Sequence, residues 1–291
     1  MTTNQIPYYV GVDGGGSGTR VLLAAADGKV LGTGTAGPSG LMHGAENAWA
    51  SIMAALQQAA AAAQLTLPPL AQIALVCGLA GANNAPWAAA FQAQQPGFAG
   101  LSLVSDALTT LYGAFQGAPG VIIALGTGSV GLALHDDGSR HEVGGWGFPS
   151  GDEASGAWLG LRALCHAQQV ADGRRDSDAL AQAVLAFCGG SRLSLMHWGV
   201  QANQTTVAQL APLVVRHAAK VATARALMLQ AGVEVAAMAL ALDASQRMPI
   251  ALCGGLAPAV QPYLPESLWP RVIAPKADAA MGALLMAQRQ W

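Results

Sequence analysis

The sequence of 291 residues is poor in charge, and this scarcity excludes several classes of partner. Only 10% of the residues are charged, and the formal net charge is -2. Proteins that bind nucleic acid or acidic membranes usually carry a basic stripe or patch, and the sequence shows none. We therefore expect neither a nucleic-acid partner nor a membrane partner.

Long uninterrupted apolar runs are also missing. The two most apolar stretches, residues 65–82 and 231–242, are interrupted by prolines, a glutamine or a glutamate, whereas a membrane span needs roughly 20 clean residues. The first nine residues contain no positive segment followed by an apolar one, which a secretory signal would have. We interpret both stretches as core and expect the protein in the cytoplasm.

Paired cysteines are the third absence. Cys77, Cys165, Cys188 and Cys253 stand alone, without a CxxC pair or a histidine at zinc spacing. Isolated cysteines are typical of buried thiols in a reducing compartment. The six histidines are also scattered, with no partner at a fixed spacing. The sequence therefore gives no reason to assign a metal to cysteine or histidine.

The sequence does contain a repeated hairpin unit. Residues 10–34 predict strand, glycine-rich turn, strand, Asp-Gly turn and strand, because Asp-Gly between apolar runs is a strong hairpin signal. A second copy later in the chain reads VIIAL, GTGS, VGLAL and a further Asp-Gly turn. In both copies the turn glycine follows the last loop glycine by ten residues, Gly18 to Gly28 and Gly128 to Gly138.

Helical patterns alternate with these strands. Apolar residues recur at helical spacing over residues 45–64, 106–115 and 151–170, and this spacing predicts helices. Residues 205–242 are almost entirely helical in pattern, and the segment MPIALCGGLA predicts another strand with a glycine turn. A final amphipathic helix is predicted over residues 276–288. Alternating strands and helices indicate an α/β fold.

We expect two α/β domains with a cleft between them. The first covers residues 1–115 and the second residues 116–275, with the boundary between Gly113 and Gly120. The last segment, residues 276–291, is expected to pack back on the first domain.

The glycine loops have two interpretations. The common nucleotide loop GxxxxGK[ST] is absent, and a GxGxxG match at residues 126–131 is not followed by the helix that a dinucleotide site requires. A glycine-rich turn between strands can still bind phosphate, because successive backbone amides form an anion-binding nest. For either loop alone, the alternative is a tight hairpin in which glycine supplies positive φ.

Five motifs stand in a fixed order along nearly the whole chain. They are DGGGSGTR at residues 13–20, SDA at 105–107, GTGS at 126–129, GGWGFPSGDEASGAWLG at 144–160 and CGGLAP at 253–258. Together they resemble the N-acetylglucosamine kinase and glucosamine kinase family, which is BadF/BadG/BcrA/BcrD ATPase-like and belongs to the actin and sugar-kinase superfamily. The segment 144–160 is the most specific of the five.

The resemblance implies a two-domain actin-like (ribonuclease H-like) ATPase fold with an interdomain nucleotide cleft. It also implies ATP and Mg²⁺ as cofactors, a small-molecule amino sugar as substrate and a homodimer. The implied reaction phosphorylates the 6-hydroxyl of a hexosamine.

The resemblance also implies residue roles. Asp106 is the implied catalytic base, and Asp13 is implied to face Mg²⁺ through water. The implied nucleotide-binding residues are Gly15, Gly16, Ser17, Gly18, Thr19, Thr127, Gly128, Ser129, Gly254 and Gly255. The implied sugar-binding residues are Asp106, Gly145, Trp146, Asp152 and Glu153.

Each of the acidic and aromatic assignments has a structural alternative. Asp106 is equally well interpreted as the N-cap of the helix that follows it, with Ser105 as a competitor. Asp152 and Glu153 are also interpreted as first-turn carboxylates of a helix that starts at Gly151. Trp146 is also interpreted as a core residue.

The substrate and the activity keep alternatives as well. Gly40 stands where the family usually carries a sugar-contacting asparagine, so N-acetylglucosamine and glucosamine are both open. A second hypothesis is a partner-activating ATPase related to the activators of radical dehydratases, against which the unpatterned cysteines argue. A third is a non-catalytic amino-sugar sensor, against which the presence of Asp13, Thr19, Asp106 and Thr127 argues.

Overall fold

The computed structural model describes residues 6–291. The chain divides into two compact units. Unit 1 comprises the described residues up to Gly120 together with Asp136–Gly138 and Ala274–Trp291, and unit 2 comprises Val121–His135 and Ser139–Ile273. Each unit is built on one five-stranded sheet with both parallel and antiparallel pairs.

The strands and helices are numbered in chain order. The strands are β1 (Tyr8–Gly14), β2 (Thr19–Ala25), β3 (Val30–Ala36), β4 (Ile73–Leu79), β5 (Gly100–Ser105), β6 (Gly120–Leu125), β7 (Ser129–Leu134), β8 (Arg140–Gly144), β9 (Ile250–Cys253) and β10 (Val272–Ile273). The helices are α1 (Ala45–Ala62), α2 (Ala85–Ala93), α3 (Asp106–Phe115), α4 (Gly156–Ala171), α5 (Ala179–Phe187), α6 (Arg192–Gln201), α7 (Gln204–Ala208), α8 (Ala211–His217), α9 (Ala222–Leu242), α10 (Ala257–Val260) and α11 (Ala279–Gln290).

The sheet of unit 1 has the order β3-β2-β1-β4-β5. Strands β1 to β3 form an antiparallel meander, whereas β4 and β5 run parallel to β1. Every residue of β4 is buried, as expected for a strand that is covered on both faces. On one face Trp49 of α1 stacks on Phe91 of α2, with ring centroids 4.2 Å apart.

Helix α11 covers the other face of this sheet. A Cβ atom on Gly11 of β1 would lie 2.2 Å from the Ala280 carbonyl oxygen, so the glycine allows the helix to pack directly on the strand. Asp278 caps α11 by accepting a hydrogen bond from the Met281 amide. The helix therefore begins at Ala279, three residues later than the predicted 276–288.

Unit 2 repeats the strand arrangement in the order β10-β9-β6-β7-β8. The predicted second hairpin copy is confirmed, since β6, β7 and β8 are adjacent and β7 pairs with β8 in antiparallel register. Helices α4, α5, α8 and α9 enclose a core that includes Trp158, Leu164 and Met228.

Within residues 6–291, α9 is the single unbroken helix that is long and apolar enough to cross a membrane by length and composition. One side of α9 lies in the core of unit 2, and core helices of soluble proteins commonly have the same length and composition. The bent pair α5 and α6 passes the same test only when the two helices are taken as one span.

Candidate active site

Two carboxylates lie where parallel strands of unit 1 end. Asp13 of β1 pairs with Gly78 of β4, and Gly78 pairs with Val104 of β5. Asp106 follows β5 directly and is the first residue of α3. The carboxyl ends of parallel strands are where open α/β sheets place ligand-facing side chains. The register therefore brings Asp13 and Asp106 to one edge of the sheet.

The electrostatics of this edge favour a bound cation. Burial, together with the negative charges of Asp106 and Asp278, raises the pKa of Asp13 to about 6, against the lowering by Arg20. Arg20 is held by Asp278, with Nη1 and Oδ2 2.8 Å apart. A positive ligand here would relieve the repulsion between the carboxylates.

Asp106 is not the N-cap of α3. Ser105 holds that position, and its Oγ accepts the Leu108 amide at 3.3 Å. One carboxylate oxygen of Asp106 accepts the adjacent Ala107 amide at 2.9 Å. The helix cap is supplied by the neighbouring serine, so the interpretation of Asp106 as a plain cap is wrong.

The first glycine loop, Gly15–Gly18, has unused space and donors. Its Gly15 amide donates to the Gly18 carbonyl at 3.0 Å. No acceptor among residues 6–291 receives the amide protons of Gly16, Ser17 and Gly18. A Cβ atom on Gly15 or Gly16 would meet nothing within 4 Å, and neither residue has positive φ. Neither the packing of the described residues nor the backbone angles explain these two glycines.

Thr19, at the end of this loop, serves the scaffold. Its side chain is buried, and Oγ1 lies 2.6 Å from the Gly37 carbonyl oxygen and 2.7 Å from Ser39 Oγ. The Gly15 carbonyl accepts the Ser39 and Gly40 amides at 3.2 and 3.0 Å. The segment after β3 therefore supports the first glycine loop through Ser39, a residue that sequence analysis did not single out.

The second glycine loop, Gly126–Ser129, makes several hydrogen bonds within its own unit. The Gly126 amide donates to the Gly128 carbonyl at 2.9 Å. The carbonyls of Gly126 and Thr127 accept the amides of Gly156 and Ala157, in the first turn of α4, at 2.8 and 3.0 Å. These bonds satisfy helix amides that would otherwise lack a partner.

Asp152 is central to this second loop. Its Oδ1 accepts the Ser129 amide at 3.2 Å, and its Oδ2 accepts Gln204 Nε2 at 2.6 Å. A Cβ atom on Gly128 would lie 2.9 Å from Asp152 Oδ1. Burial raises the pKa of Asp152, against the lowering by the Ser129 amide. Gln204 was not predicted, because no local pattern links it to Asp152.

The predicted helix start at Gly151 is wrong. Asp152 and Ala154 have φ angles of 61° and 64°, which lie in the left-handed region that a right-handed helix excludes. Helix α4 begins at Gly156 and is capped by Ser155, whose side chain accepts the Trp158 amide. Asp152 and Glu153 precede the helix, so they are not first-turn carboxylates.

The segment before Asp152 presents an aromatic ring to solvent. Trp146 is 84% exposed, so its interpretation as a core residue is wrong. Its neighbours Gly145 and Gly147 have φ angles of 69° and 82°, which glycine adopts at little cost. Aromatic rings placed this way can pack against the apolar face of a ligand.

The turn after β9 combines two different glycines. Gly254 has a φ angle of 87°, and a Cβ atom there would lie 2.4 Å from the Leu125 carbonyl oxygen. Gly255 has nothing within 4 Å of an added Cβ atom. The protein's own geometry explains the first glycine but not the second.

The carboxylates of unit 1 fit a magnesium ion that is held partly by phosphate. Within residues 6–291 no group of three or more histidine, cysteine, aspartate or glutamate side chains is arranged around a metal position. Mg²⁺ in phosphoryl-transfer sites usually takes one or two carboxylates and completes its shell with water and phosphate oxygens. Asp13, beside Asp106, offers carboxylate oxygens of that kind.

These features define a class of protein. Two α/β units on mixed five-stranded sheets, each with a glycine loop after a strand, form the two-domain fold of actin-like ATPases. A ROK family glucokinase from Streptomyces griseus, solved with glucose and AMPPNP, shares the fold with a TM-score of 0.58 and 16% identity, over 98% of this chain and 100% of that one.

The chain belongs to the BadF/BadG/BcrA/BcrD ATPase family, whose sequence profile matches residues 10–287. Glucosamine kinase GspK of Vibrio cholerae is 31% identical to it over 96% of this chain and 95% of that protein. A solved structure from Chromobacterium violaceum, described as a candidate N-acetylglucosamine kinase, is 47% identical with a TM-score of 0.95, over 97% of this chain and 99% of that one.

Proposed function

We propose that the protein is an ATP-dependent kinase that phosphorylates the 6-hydroxyl of a hexosamine. One observation carries the proposal: Gly15 and Gly16 leave open space beside free amides at the same sheet edge as Asp13 and Asp106. Backbone amides next to open space suit phosphate oxygens. The two named relatives above support an amino sugar as the acceptor.

Asp106 is the proposed catalytic base. Its carboxylate takes the proton of the sugar 6-hydroxyl as that oxygen bonds to the γ-phosphorus of ATP. The bond between the γ-phosphorus and the bridging oxygen breaks, and ADP leaves with the electron pair. Phosphoryl transfer asks the protein mainly for position and charge compensation, and one carboxylate near the acceptor is a sufficient base.

The first glycine loop is proposed to bind the terminal phosphates through the amides of Gly16, Ser17 and Gly18. Mg²⁺, when bound, supplies positive charge to the phosphates, and Asp13 is the residue proposed to hold it. The other proposed nucleotide-binding residues are Gly15, Thr19, Thr127, Gly128, Ser129, Gly254 and Gly255, of which Thr19 acts through its support of the loop. The proposed sugar-binding residues are Asp106, Gly145, Trp146, Asp152 and Glu153.

The choice between glucosamine and N-acetylglucosamine depends on Gly40. A Cβ atom at this position would lie 3.3 Å from the Gly15 carbonyl carbon, so an asparagine would press on the first glycine loop. With glycine at residue 40, the chain has no side-chain amide here, and the segment packs closely against the first glycine loop. We propose glucosamine as the preferred substrate, since it needs no contact to an acetyl group.

The deciding experiment is coupled ADP release with ATP and Mg²⁺, run with glucosamine, N-acetylglucosamine, glucose, 6-deoxyglucosamine and no sugar. We expect strong stimulation by glucosamine and none by the 6-deoxy analogue, which lacks the acceptor oxygen. Phosphorus NMR of the product should show a 6-phosphate. Equal ADP release with and without sugar would contradict the kinase and indicate a partner-activating ATPase, whereas sugar binding without any ADP release would indicate a sensor. The homodimer and the cytoplasmic location stay predictions from the sequence.

A further inference from the structure

Helix α9 is apolar over most of its surface, with Arg225 and Gln230 as its exposed polar side chains. Its 21 residues include one arginine and one glutamate as the ionisable side chains. The inner side is buried through Met228, Val235, Met238 and their neighbours. Surface helices of globular proteins usually expose a polar side, so the large apolar side chains on the outer side of α9 are unusual.

The outer side carries a narrow apolar stripe. Its three large members, Leu229, Val233 and Leu240, are 45%, 57% and 50% exposed. At roughly 100° per residue, the stripe lies within about 40° of the direction of Val233. The outer stripe consists of Ala222, Ala226, Leu229, Val233, Ala237 and Leu240, with spacings of three and four residues. Such spacing is typical of a helix that packs along another helix.

The charged residues of α9 lie beside the stripe. Glu234 is half-buried and acts electrostatically on Arg162 of α4, within the same unit. Arg225 is exposed and flanks the N-terminal end of the stripe. The stripe itself carries no charge, so covering it removes no ionised group from water.

We propose that the outer stripe is an antiparallel interface between two copies of this chain, with the two-fold axis at Val233. Under that axis residue 229 lies level with 237 of the other copy, and residue 226 lies level with 240. Each level then joins a leucine to an alanine, and the two Val233 side chains meet at the centre. Large and small residues that alternate across an interface pack without voids or overlap, and a two-fold interface must be complementary to itself.

Charge favours the same orientation. In the antiparallel arrangement Arg225 lies level with residue 241 of the other copy, near the carbonyl end of its α9. That end of a helix carries negative partial charge, which attracts a cation. A parallel arrangement would set Arg225 against Arg225 and leucine against leucine. It would combine like-charge repulsion with poor size matching.

Sedimentation velocity tests the interface. We expect the wild-type protein to be a dimer at micromolar concentration, and Val233→Glu to be a monomer with an unchanged circular dichroism spectrum. Leu193→Glu is the matched control, because Leu193 is similarly exposed, at 58%, and lies on a different helix, α6. The proposal is overturned if the wild-type protein is a monomer at 50 µM, and binding to lipid vesicles would not rescue it. It is also overturned if the Val233→Glu variant is still a dimer.

Cysteine cross-linking tests the register even if Val233→Glu does not fold. In a Cys165→Ser background, which removes the exposed native thiol, Val233→Cys should give a disulfide-linked dimer on oxidation. Ala222→Cys should not, because the two copies of residue 222 would be about 33 Å apart along the helix axes at 1.5 Å per residue. Cross-linking at 222 but not at 233 would refute the antiparallel register.

Discussion

The two glycine loops share a position after a strand of their sheets but differ in what surrounds them. In the second loop, Gly128 is fixed by the Asp152 carboxylate, and the loop carbonyls hold the first turn of α4. In the first loop, a Cβ atom added to Gly15 or Gly16 would have no neighbouring atom within 4 Å. The packing of its own unit explains Gly128, whereas the packing around Gly15 and Gly16 does not explain those two glycines.

This difference separates structural glycines from glycines that serve a ligand. A residue whose side chain would collide with its own protein is glycine for folding, and its replacement lowers stability. A residue with room for a side chain and ordinary φ is glycine for another reason, and close approach of a ligand to the backbone supplies one. The comparison therefore predicts which substitutions affect catalysis and which affect folding.

Asp106→Asn is expected to have the largest effect. Removing the base should lower kcat by about 10²- to 10⁴-fold, the usual contribution of general-base catalysis. Stability should change little, because Ser105 caps the helix. The measurement is steady-state kinetics beside a thermal melt.

Ser105→Ala is the control for that substitution. It should cost about 1 kcal/mol of stability through loss of the cap while kcat stays within a few-fold of wild type. If Asp106→Asn loses less than tenfold in kcat, the assignment of the base is wrong.

A comparison of Gly16→Ala with Gly128→Ala tests whether the glycines of the two loops have different roles. Gly16→Ala should fold with unchanged stability but raise the KM for ATP at least about tenfold, since each lost charge-assisted hydrogen bond is worth roughly 1.5–3 kcal/mol. Gly128→Ala should lose about 1–3 kcal/mol of stability as the methyl group meets Asp152. Urea unfolding and ATP titration give both numbers. The reverse pattern would remove the distinction between the loops.

Gly254→Ala and Gly255→Ala repeat the comparison within one turn. The first forces a positive φ and a contact with the Leu125 carbonyl, so we expect it to lose about 1–3 kcal/mol or more. The second meets no atom and should keep its stability, with any effect confined to nucleotide affinity. Equal destabilisation by both would show that the open space beside Gly255 is needed for folding.

The sequence predicted the hairpin repeat because Asp-Gly turns and apolar alternation are local signals. It missed the start of α4 because Asp152 and Ala154 adopt a left-handed backbone that side chains seldom take. The short SDA motif predicted Asp106 as a candidate site residue. The contacts of Ser39 with Thr19 and of Gln204 with Asp152 were not predicted, because they span 20 and 52 residues. Contacts at that separation are set by the folded chain and leave no pattern in a single sequence.

Asp13→Asn tests the raised pKa of Asp13 through the pH dependence of stability. The pKa of Asp13 is raised to about 6, above the value of about 3.9 in unfolded chains. The folded protein therefore holds the extra proton between those values, and this contribution to stability is lost as pH rises through about 6. Asparagine cannot ionise, so the variant should gain stability relative to wild type as the pH rises from 4.5 to 7.5.

The raised pKa of Asp152 acts with the same sign in both proteins, so the difference between their melting curves isolates the contribution of Asp13. Mg²⁺ should stabilise the wild type more at pH 7.5 than at pH 5, and the variant at neither. Parallel melting curves across this range would show that Asp13 ionises normally.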